Sequence, residues 1–145
     1  MIIQKATVNE LDCLTDLFDL YRSFYGQESN LEDAREFLKE RLVNEESVIF
    51  IAFDEKNPIG FVQLYPSFSS VSMKRSWVLN DLYVKVYARK KGFAEMLIQK
   101  AIDYAEETSA KGVLLETAKE NVAAQNLYEK VGFVRESTYF YYFSI

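Results

Sequence analysis

The stretch "NDLYVKVYARKKGFAEMLIQKA", residues 80–101, decides how this chain folds. An apolar run ends within it, three cations follow at Arg89, Lys90 and Lys91, and after Gly92 apolar residues recur at helical spacing. Positive charges at the start of a helix repel one another and the positive end of the helix dipole, so this arrangement is typical of a site that binds an anion. A solvated basic loop in front of a helix is the open alternative.

The segments around this stretch predict a parallel pair of strands. Residues 77–84 are apolar on both faces, as in a strand at the middle of a sheet. A helix over residues 92–108 and the apolar run "GVLLET", residues 112–117, complete a strand–helix–strand crossover, whose strands run parallel. A last helix over residues 121–131 begins with a capping asparagine and ends at Gly132.

The N-terminal half predicts antiparallel strands and two helices. Its elements are a first strand over residues 2–6, a helix capped by Asn9 and stopped by Gly26, a helix starting at Asn30, and strands over 47–53 and 59–65. The segment "DEKNPIG" between the last two strands predicts a hairpin turn, and residues 133–144 are aromatic and strand-like. The predicted fold class is α/β, in one domain of residues 1–145.

Composition excludes several classes of site. The chain has no histidine, which removes His-based metal sites, the Ser-His-Asp triad and the Cys-His dyad, and we expect no metal. The lone Cys13 excludes an internal disulfide. A net charge of −5 argues against a nucleic-acid partner. No apolar run is long enough for a signal peptide or a membrane span, so we expect a cytoplasmic protein with no membrane partner.

Two motifs resemble the GNAT acetyltransferases over residues 78–134. Motif A of that family, R/Q-x-x-G-x-G/A after a strand, is represented by Arg89, Lys90, Lys91, Gly92, Phe93 and Ala94. The segment "ENVAAQNLYEKVGF" is similar to motif B and carries its Asn121, Ala124, Leu127, Tyr128, Lys130, Gly132 and Phe133. The resemblance implies the GNAT fold: a mixed sheet with an antiparallel N-terminal half and a splayed parallel pair, flanked by four helices.

The resemblance also implies a binding mode for acetyl-CoA. The loop and helix start at residues 89–94 would bind its pyrophosphate. The backbone of Leu82, Tyr83 and Val84 would pair with the pantetheine arm, and Asn121 would touch the cofactor. Ala94 stands where many family members have glycine, and alanine is a common variant there.

Acetyl transfer to an amine needs a base and an acid. An alkylamine with a pKa of about 10.4 is mostly protonated at pH 7, so a group or a water relay must take its proton. Asp81, in an apolar strand, and Glu116 are the candidate bases; alternatively, Asp81 is a structural carboxylate. Tyr128, which the resemblance places near the sulfur, is the candidate donor to the leaving thiolate, the alternative being a half-buried core tyrosine.

The acceptor would lie across the strand gap, where the family lines its site with the first two helices. Tyr21, Phe24 and Tyr25 share one predicted helical face there, with Glu28, Glu32 and Asp33 close by. Aromatic faces and carboxylates suit an ammonium group, although a core stripe beside an acidic loop is the alternative. We expect Tyr21, Tyr25 and Asn80 to bind substrate. Asn80 stands where polyamine-acetylating relatives carry glutamate.

These residues predict an acetyl-CoA-dependent N-acetyltransferase that acts directly on the primary amine of a small molecule. The wording "NDLYV" is similar to the branch acting on small amines and polyamines. A non-catalytic CoA-binding domain and an enzyme acting on a protein amine are the alternatives. The C-terminal "STYFYYFSI" presents aromatics on both faces of a predicted strand, and family members are often dimers, so we expect a homodimer.

Overall fold

Five strands form one sheet in which each strand pairs with its neighbours in chain order. The computed structural model describes all of residues 1–145. The strands are β1 (Ile2–Lys5), β2 (Val48–Asp54), β3 (Asn57–Ser69), β4 (Lys74–Val84) and β5 (Val113–Leu114). The helices are α1 (Leu11–Phe24), α2 (Leu31–Val43), α3 (Phe93–Glu107) and α4 (Val122–Val131), with short 3-10 turns at Val8–Glu10 and Val86–Ala88.

The antiparallel half is more extensive than predicted. β1 to β4 pair antiparallel in succession, and β3 runs on to Ser69 because β4 pairs with it from Gly60 to that end. The predicted hairpin turn is confirmed: Asp54 pairs with Asn57 around a two-residue turn, in which Glu55 has a φ of 57°.

The parallel pair is confirmed but is much shorter than predicted. Only Trp77 and Val78 of β4 pair with β5, through Val113 and Leu114. The chain leaves the sheet at Leu115, so the expected strand over residues 112–117 is reduced to two residues. The rest of β4, to Val84, has no neighbouring strand on that side, and this is the gap expected of a splayed pair.

An extra residue in β4 changes the face to which its side chains point. Gln63 of β3 pairs with Asp81, whereas the next residue of β3 pairs with Leu79, so Asn80 is a bulge. Before the bulge, Trp77 and Leu79 pack into the core beneath α3. After it, alternate residues are reversed, and Asp81 and Tyr83 face α1 instead.

Two apolar cores cover the two faces of the sheet. The core beneath α3 contains Phe93, Leu97, Ile98, Ala101 and Ala105 of that helix, which confirms the apolar face expected from their helical spacing. The other core lies beneath α1 and α2 and includes Leu14, Leu17, Phe18 and Leu38. The sheet therefore has a separate helical layer on each face, which confirms the α/β class.

The helix caps agree with the sequence at two positions and differ at one. Asn30 caps α2 by accepting a hydrogen bond from Asp33 N, and Asn121 caps α4 by accepting one from Ala124 N, each at 3.1 Å. The prediction for Asn9 is wrong, because Thr7 and Glu10 form a capping box around the turn that precedes α1.

The predicted C-terminal strand is absent. Residues 133–145 form no regular element, and every residue from Val134 onward is exposed. A strand needs a partner that satisfies its backbone groups. No strand pairs with this segment, which leaves its aromatic side chains uncovered.

A glycine is needed at position 60, where β3 pairs with the end of β4. A Cβ atom at this position would lie 2.6 Å from the backbone oxygen of Tyr83, with no flexible side chain to move aside. We expect Gly60→Ala to lower the free energy of unfolding by about 1–3 kcal/mol. Gly112→Ala is the matched control, because nothing lies within 4 Å of a Cβ there. Equal denaturation midpoints for the two variants in urea would contradict the clash.

Candidate active site

A buried carboxyl lies at the bulge of β4. Asp81 is 2% exposed, and its Oδ1 accepts a hydrogen bond of 2.7 Å from Asn80 Nδ2. Its Oδ2 accepts a hydrogen bond from Gln63 Nε2. Burial raises the pKa of Asp81, while the hydrogen bonds from Asn80, Gln63 and Tyr21 partly oppose that rise by stabilising the charged form. No cation pairs with the carboxyl, so it is suited to accept a proton.

Two tyrosines flank Asp81 from different elements. Tyr21 of α1 lies over the bulge, and its hydroxyl donates a long hydrogen bond of 3.4 Å to Asn80 O. Burial, and then the charge of Asp81, raise the pKa of both Tyr21 and Tyr65, the latter on β3. Both side chains therefore stay neutral phenols that can donate hydrogen bonds.

A cavity of about 420 Å³ opens beside this carboxyl, between α1, α2 and the sheet. Its lining consists of Phe18, Tyr21, Arg22, Asp33, Ala34, Phe37, Tyr65, Asn80 and Asp81. The connection that brings α2 over the cavity is fastened by Asp19 of α1, which accepts hydrogen bonds from Ser29 Oγ at 2.6 Å and Asn30 N at 2.8 Å. The cavity thus combines aromatic walls with two carboxylates.

Tyr25 connects this cavity to Tyr128. Its ring packs edge-on against Tyr21, with 5.1 Å between ring centroids. Tyr128 of α4 is half-buried, and its pKa is raised first by burial and then by the proximity of Tyr25. Tyr25 thus packs against Tyr21 and lies close enough to Tyr128 to affect its pKa, while the ring of Tyr128 packs against Phe133.

The start of α3 leaves its backbone donors free. Gly92 caps the helix with a φ of 84°, a conformation that favours glycine, and no side chain caps the helix. The N–H groups of residues 90 to 95 donate to no acceptor in the chain. Buried Ala88 and Phe93 hold the two ends of the loop in the core. With the helix dipole, these donors form a site that attracts an anion.

The three cations of the loop differ in position. Arg89 is half-buried: its Nε donates a 2.9 Å hydrogen bond to Val84 O, and its guanidinium lies over the rings of Phe24 and Tyr83 at 5.1 and 5.6 Å. Lys90 and Lys91 are exposed and make no ion pair. The loop therefore presents one anchored guanidinium and two free ammonium groups.

The remaining predicted residues border the gap beside β4. No strand lies beside Leu82, Tyr83 and Val84 there, since β5 has already ended, and Val84 O accepts the hydrogen bond from Arg89 Nε. The side chain of Tyr83 is buried towards α1, and that of Phe93 beneath α3, so only their backbones can take part in binding. The side-chain oxygen of Asn121 is occupied as the cap of α4, and Ala94 lies in the first turn of α3.

One predicted candidate base lies outside the site, and two residues of the site were not predicted. Glu116 is exposed and makes no side-chain hydrogen bond, so the structure does not bring it to Asp81. Gln63 and Tyr65 were missed; the available signal was a polar glutamine inside an otherwise apolar strand. No group of three or more His, Cys, Asp or Glu side chains is arranged to hold a metal ion.

Comparison with known proteins identifies the family. A profile of the "Acetyltransferase (GNAT) family" matches residues 14–133. The chain is 46% identical over 142 residues to the uncharacterized N-acetyltransferase YhfO of Bacillus subtilis, covering 98% of this chain and 95% of that protein. A probable acetyltransferase of Haemophilus influenzae is 38% identical over 120 residues, with 82% of each chain covered.

A solved structure supports the same assignment. The crystal structure of a probable acetyltransferase, 46% identical, has a TM-score of 0.91 over 100% of this chain and 97% of that chain. The GNAT fold expected from the two motifs is confirmed by this match and by the observed sheet. The protein is therefore an N-acetyltransferase and belongs to the GNAT family.

Proposed function

We propose that this N-acetyltransferase transfers the acetyl group of acetyl-CoA directly to the primary amine of a small molecule. The observation that carries the proposal is the buried carboxyl of Asp81, which lies in the wall of an aromatic cavity and has no paired cation. An alkylammonium ion with a pKa of about 10.4 must lose a proton before it can attack a thioester. A carboxyl whose pKa is raised by burial is a fitting acceptor for that proton.

Acetyl-CoA would bind along the gap between β4 and β5. Its pyrophosphate would accept hydrogen bonds from the free N–H groups at residues 90–95, with Lys90 and Lys91 adding charge. The pantetheine amides would pair with the backbone of Leu82, Tyr83 and Val84, beside which no strand lies. Asn121 keeps its Nδ2 donor for the cofactor, since only its oxygen serves as the helix cap.

Bond making and bond breaking then need one proton acceptor and one donor. Asp81 takes the proton of the alkylammonium ion, the neutral amine attacks the thioester carbon, the carbon–sulfur bond breaks, and the second proton lost by the nitrogen restores the Tyr128 hydroxyl. Tyr128 gives its hydroxyl proton to the leaving thiolate; burial raises the pKa of this tyrosine and so keeps it protonated. Cys13 is no rival nucleophile, because burial and Glu10 raise the pKa of its thiol.

The cavity favours a small cationic acceptor, including polyamine-like amines. A volume of about 420 Å³ suits a small molecule. The lining contains two carboxyl groups, Asp33 and Asp81, and one cation, Arg22. Relatives include a streptothricin acetyltransferase of Escherichia coli, 28% identical over 141 residues, and N-alpha-acetyltransferase 30 of Schizosaccharomyces pombe, 31% identical over 94 residues. A protein amine is therefore the second candidate acceptor.

We place this activity in the cytoplasm. The one cysteine, Cys13, is a free thiol, which is consistent with a reducing compartment. None of the helices combines the length and apolar character required to cross a lipid bilayer.

Binding of acetyl-CoA is expected to depend on the loop before α3. Arg89→Ala removes a charge and also the contact that ties the loop to Val84 O, so we expect the affinity for acetyl-CoA to fall about tenfold or more in isothermal titration. Lys111→Ala, which removes an exposed lysine elsewhere, is the matched control. An unchanged dissociation constant for Arg89→Ala would contradict this site.

Turnover with different amines tests the proposed function. Small primary amines, polyamines and peptides with free N-termini are each supplied with acetyl-CoA, and release of the CoA thiol is measured. We expect turnover with one of the small amines, and a loss of about 10²–10⁴-fold in kcat in Asp81→Asn and in Tyr128→Phe. Turnover only with peptides would move the assignment to a protein amine.

We extend the proposal to a homodimer. Residues 136–145 are exposed and include five aromatic side chains, while β5 ends the sheet with an unpaired outer edge. Pairing of this tail with β5 of a second copy would satisfy both. We expect the mass of a dimer in light scattering at micromolar concentration, and a monomer would refute the extension.

A further inference from the structure

Gln63 is a polar side chain in the apolar interior of the sheet. It lies in β3 directly opposite Asp81 and is completely buried, as are its neighbours Val62 and Leu64. Its Nε2 donates a hydrogen bond to Asp81 Oδ2, whereas its Oε1 has no hydrogen-bond partner. A buried acceptor without a partner is destabilising, and a leucine would fill this place without that cost. Packing therefore does not explain the glutamine.

We propose that Gln63 is the positioning residue of Asp81 and holds its carboxyl in both protonation states. Towards the carboxylate, the amide donates an N–H from Nε2. Towards the protonated acid, the amide makes a half-turn and Oε1 accepts the O–H. The inference rests on the proposed role of Asp81 as the base, because a base passes through both states in each turnover.

Gln63 is the fully buried hydrogen-bond partner of Asp81, whereas its other partners, Asn80 and Tyr21, line the cavity. Asn80 donates to Oδ1 of the carboxyl and Gln63 to Oδ2, so the protonated acid would meet donors on both sides. Asn80 is exposed, and water can complete its hydrogen bonding. On the buried side, only Gln63 can change from donor to acceptor. A primary amide does so by rotation about its last torsion, without a change in volume.

None of the charged or titratable groups around the cavity forms an ion pair with Asp81, so hydrogen bonds alone hold its carboxyl. Those groups are Tyr21, Arg22 and Tyr25 from α1, Asp33 and Arg41 from α2, and Tyr65 from β3. Arg22 donates to Glu28 O, and Arg41 pairs with Glu40 and Glu46, so neither cation is bound to Asp81. Burial raises the pKa of both Tyr21 and Tyr65 and keeps them neutral.

Replacement of the amide tests the donor half of the proposal. Gln63→Leu removes the hydrogen bond to both forms of Asp81, but the bond to the charged form is the stronger of the two, so we expect Asp81 to titrate at a pH about one unit higher. The acidic limb of kcat/KM should move by the same amount, with the affinity for acetyl-CoA unchanged. Gln99→Leu is the matched control, because Gln99 donates to Asp103 in a similar pair on the exposed surface of α3.

Two readouts separate this inference from the proposed function. The ¹³C resonance of the Asp81 carboxyl reports its titration directly, whatever reaction the enzyme catalyses. If this titration moves in Gln63→Leu but the pH profile of kcat/KM does not, the role of Asp81 as base fails, and with it the role of Gln63 in turnover. If Asp81 titrates in folded Gln63→Leu as it does in the wild type, the inference about Gln63 is overturned.

The acceptor half is tested by Asp81→Asn, which places a permanent N–H where the acid would carry its O–H. The raised pKa of Asp81 means that the folded protein holds this proton more tightly than the unfolded chain. The contribution of Asp81 to wild-type stability is thus greatest below its unfolded pKa and falls as the pH rises through its folded pKa. Asp81→Asn should melt at a higher temperature at neutral pH and lose this advantage at acid pH.

The same gain should depend on Gln63. In the Gln63→Leu background the introduced N–H has no acceptor, so the increase in melting temperature should shrink; an equal increase in both backgrounds overturns the acceptor half. If Gln63→Leu does not fold, an NMR titration of the wild type tests the inference instead. The side-chain amide resonances of Gln63 should shift as Asp81 titrates. Amide resonances that stay unchanged across this titration overturn the inference.

Discussion

The bulge at Asn80 is the constraint on which both halves of the site depend. Strict alternation along β4 would turn Asp81 to the same face as Trp77 and Leu79, into the apolar core beneath α3. The extra residue reverses the alternation, so that the carboxyl faces α1 and the cavity while Val84 still packs beneath α3. The bulge thus places a polar group in the cavity while the apolar core beneath α3 stays intact.

The position of Asp81 carries a cost in stability that a purely structural residue would avoid. A carboxylate held only by amides and a phenol is poorly compensated for the water that it has lost. The sheet tolerates it because β2 and β3 are lined with fully buried apolar residues on both faces, among them Ile49, Ile51 and Val62. The protein therefore concentrates its destabilising chemistry in one short segment and stabilises the remainder by apolar packing.

Local signals in the sequence predicted three of the four helix starts and the order of elements up to α4, but not the register. Asn30, Gly92 and Asn121 act through the nearest turn of backbone, so their roles can be predicted from a few residues. The bulge at Asn80 and the partner of Gln63 depend on the pairing of β3 with β4, which no single segment specifies. The same limit applies to the C-terminal aromatics, whose β-propensity is realised only when another strand pairs with them.

Arg89 links the loop before α3 to the aromatic side chains at the end of α1. Its hydrogen bond to Val84 O holds the loop before α3 against the end of β4, and its guanidinium covers Phe24 at the end of α1. The ring of Phe24 packs against that of Tyr25, which borders both Tyr21 and Tyr128. A lysine here would keep the charge but could not form the planar contact with the rings while donating to the carbonyl. Arg89 therefore ties the loop before α3 to Phe24 and Tyr83, in addition to contributing its charge.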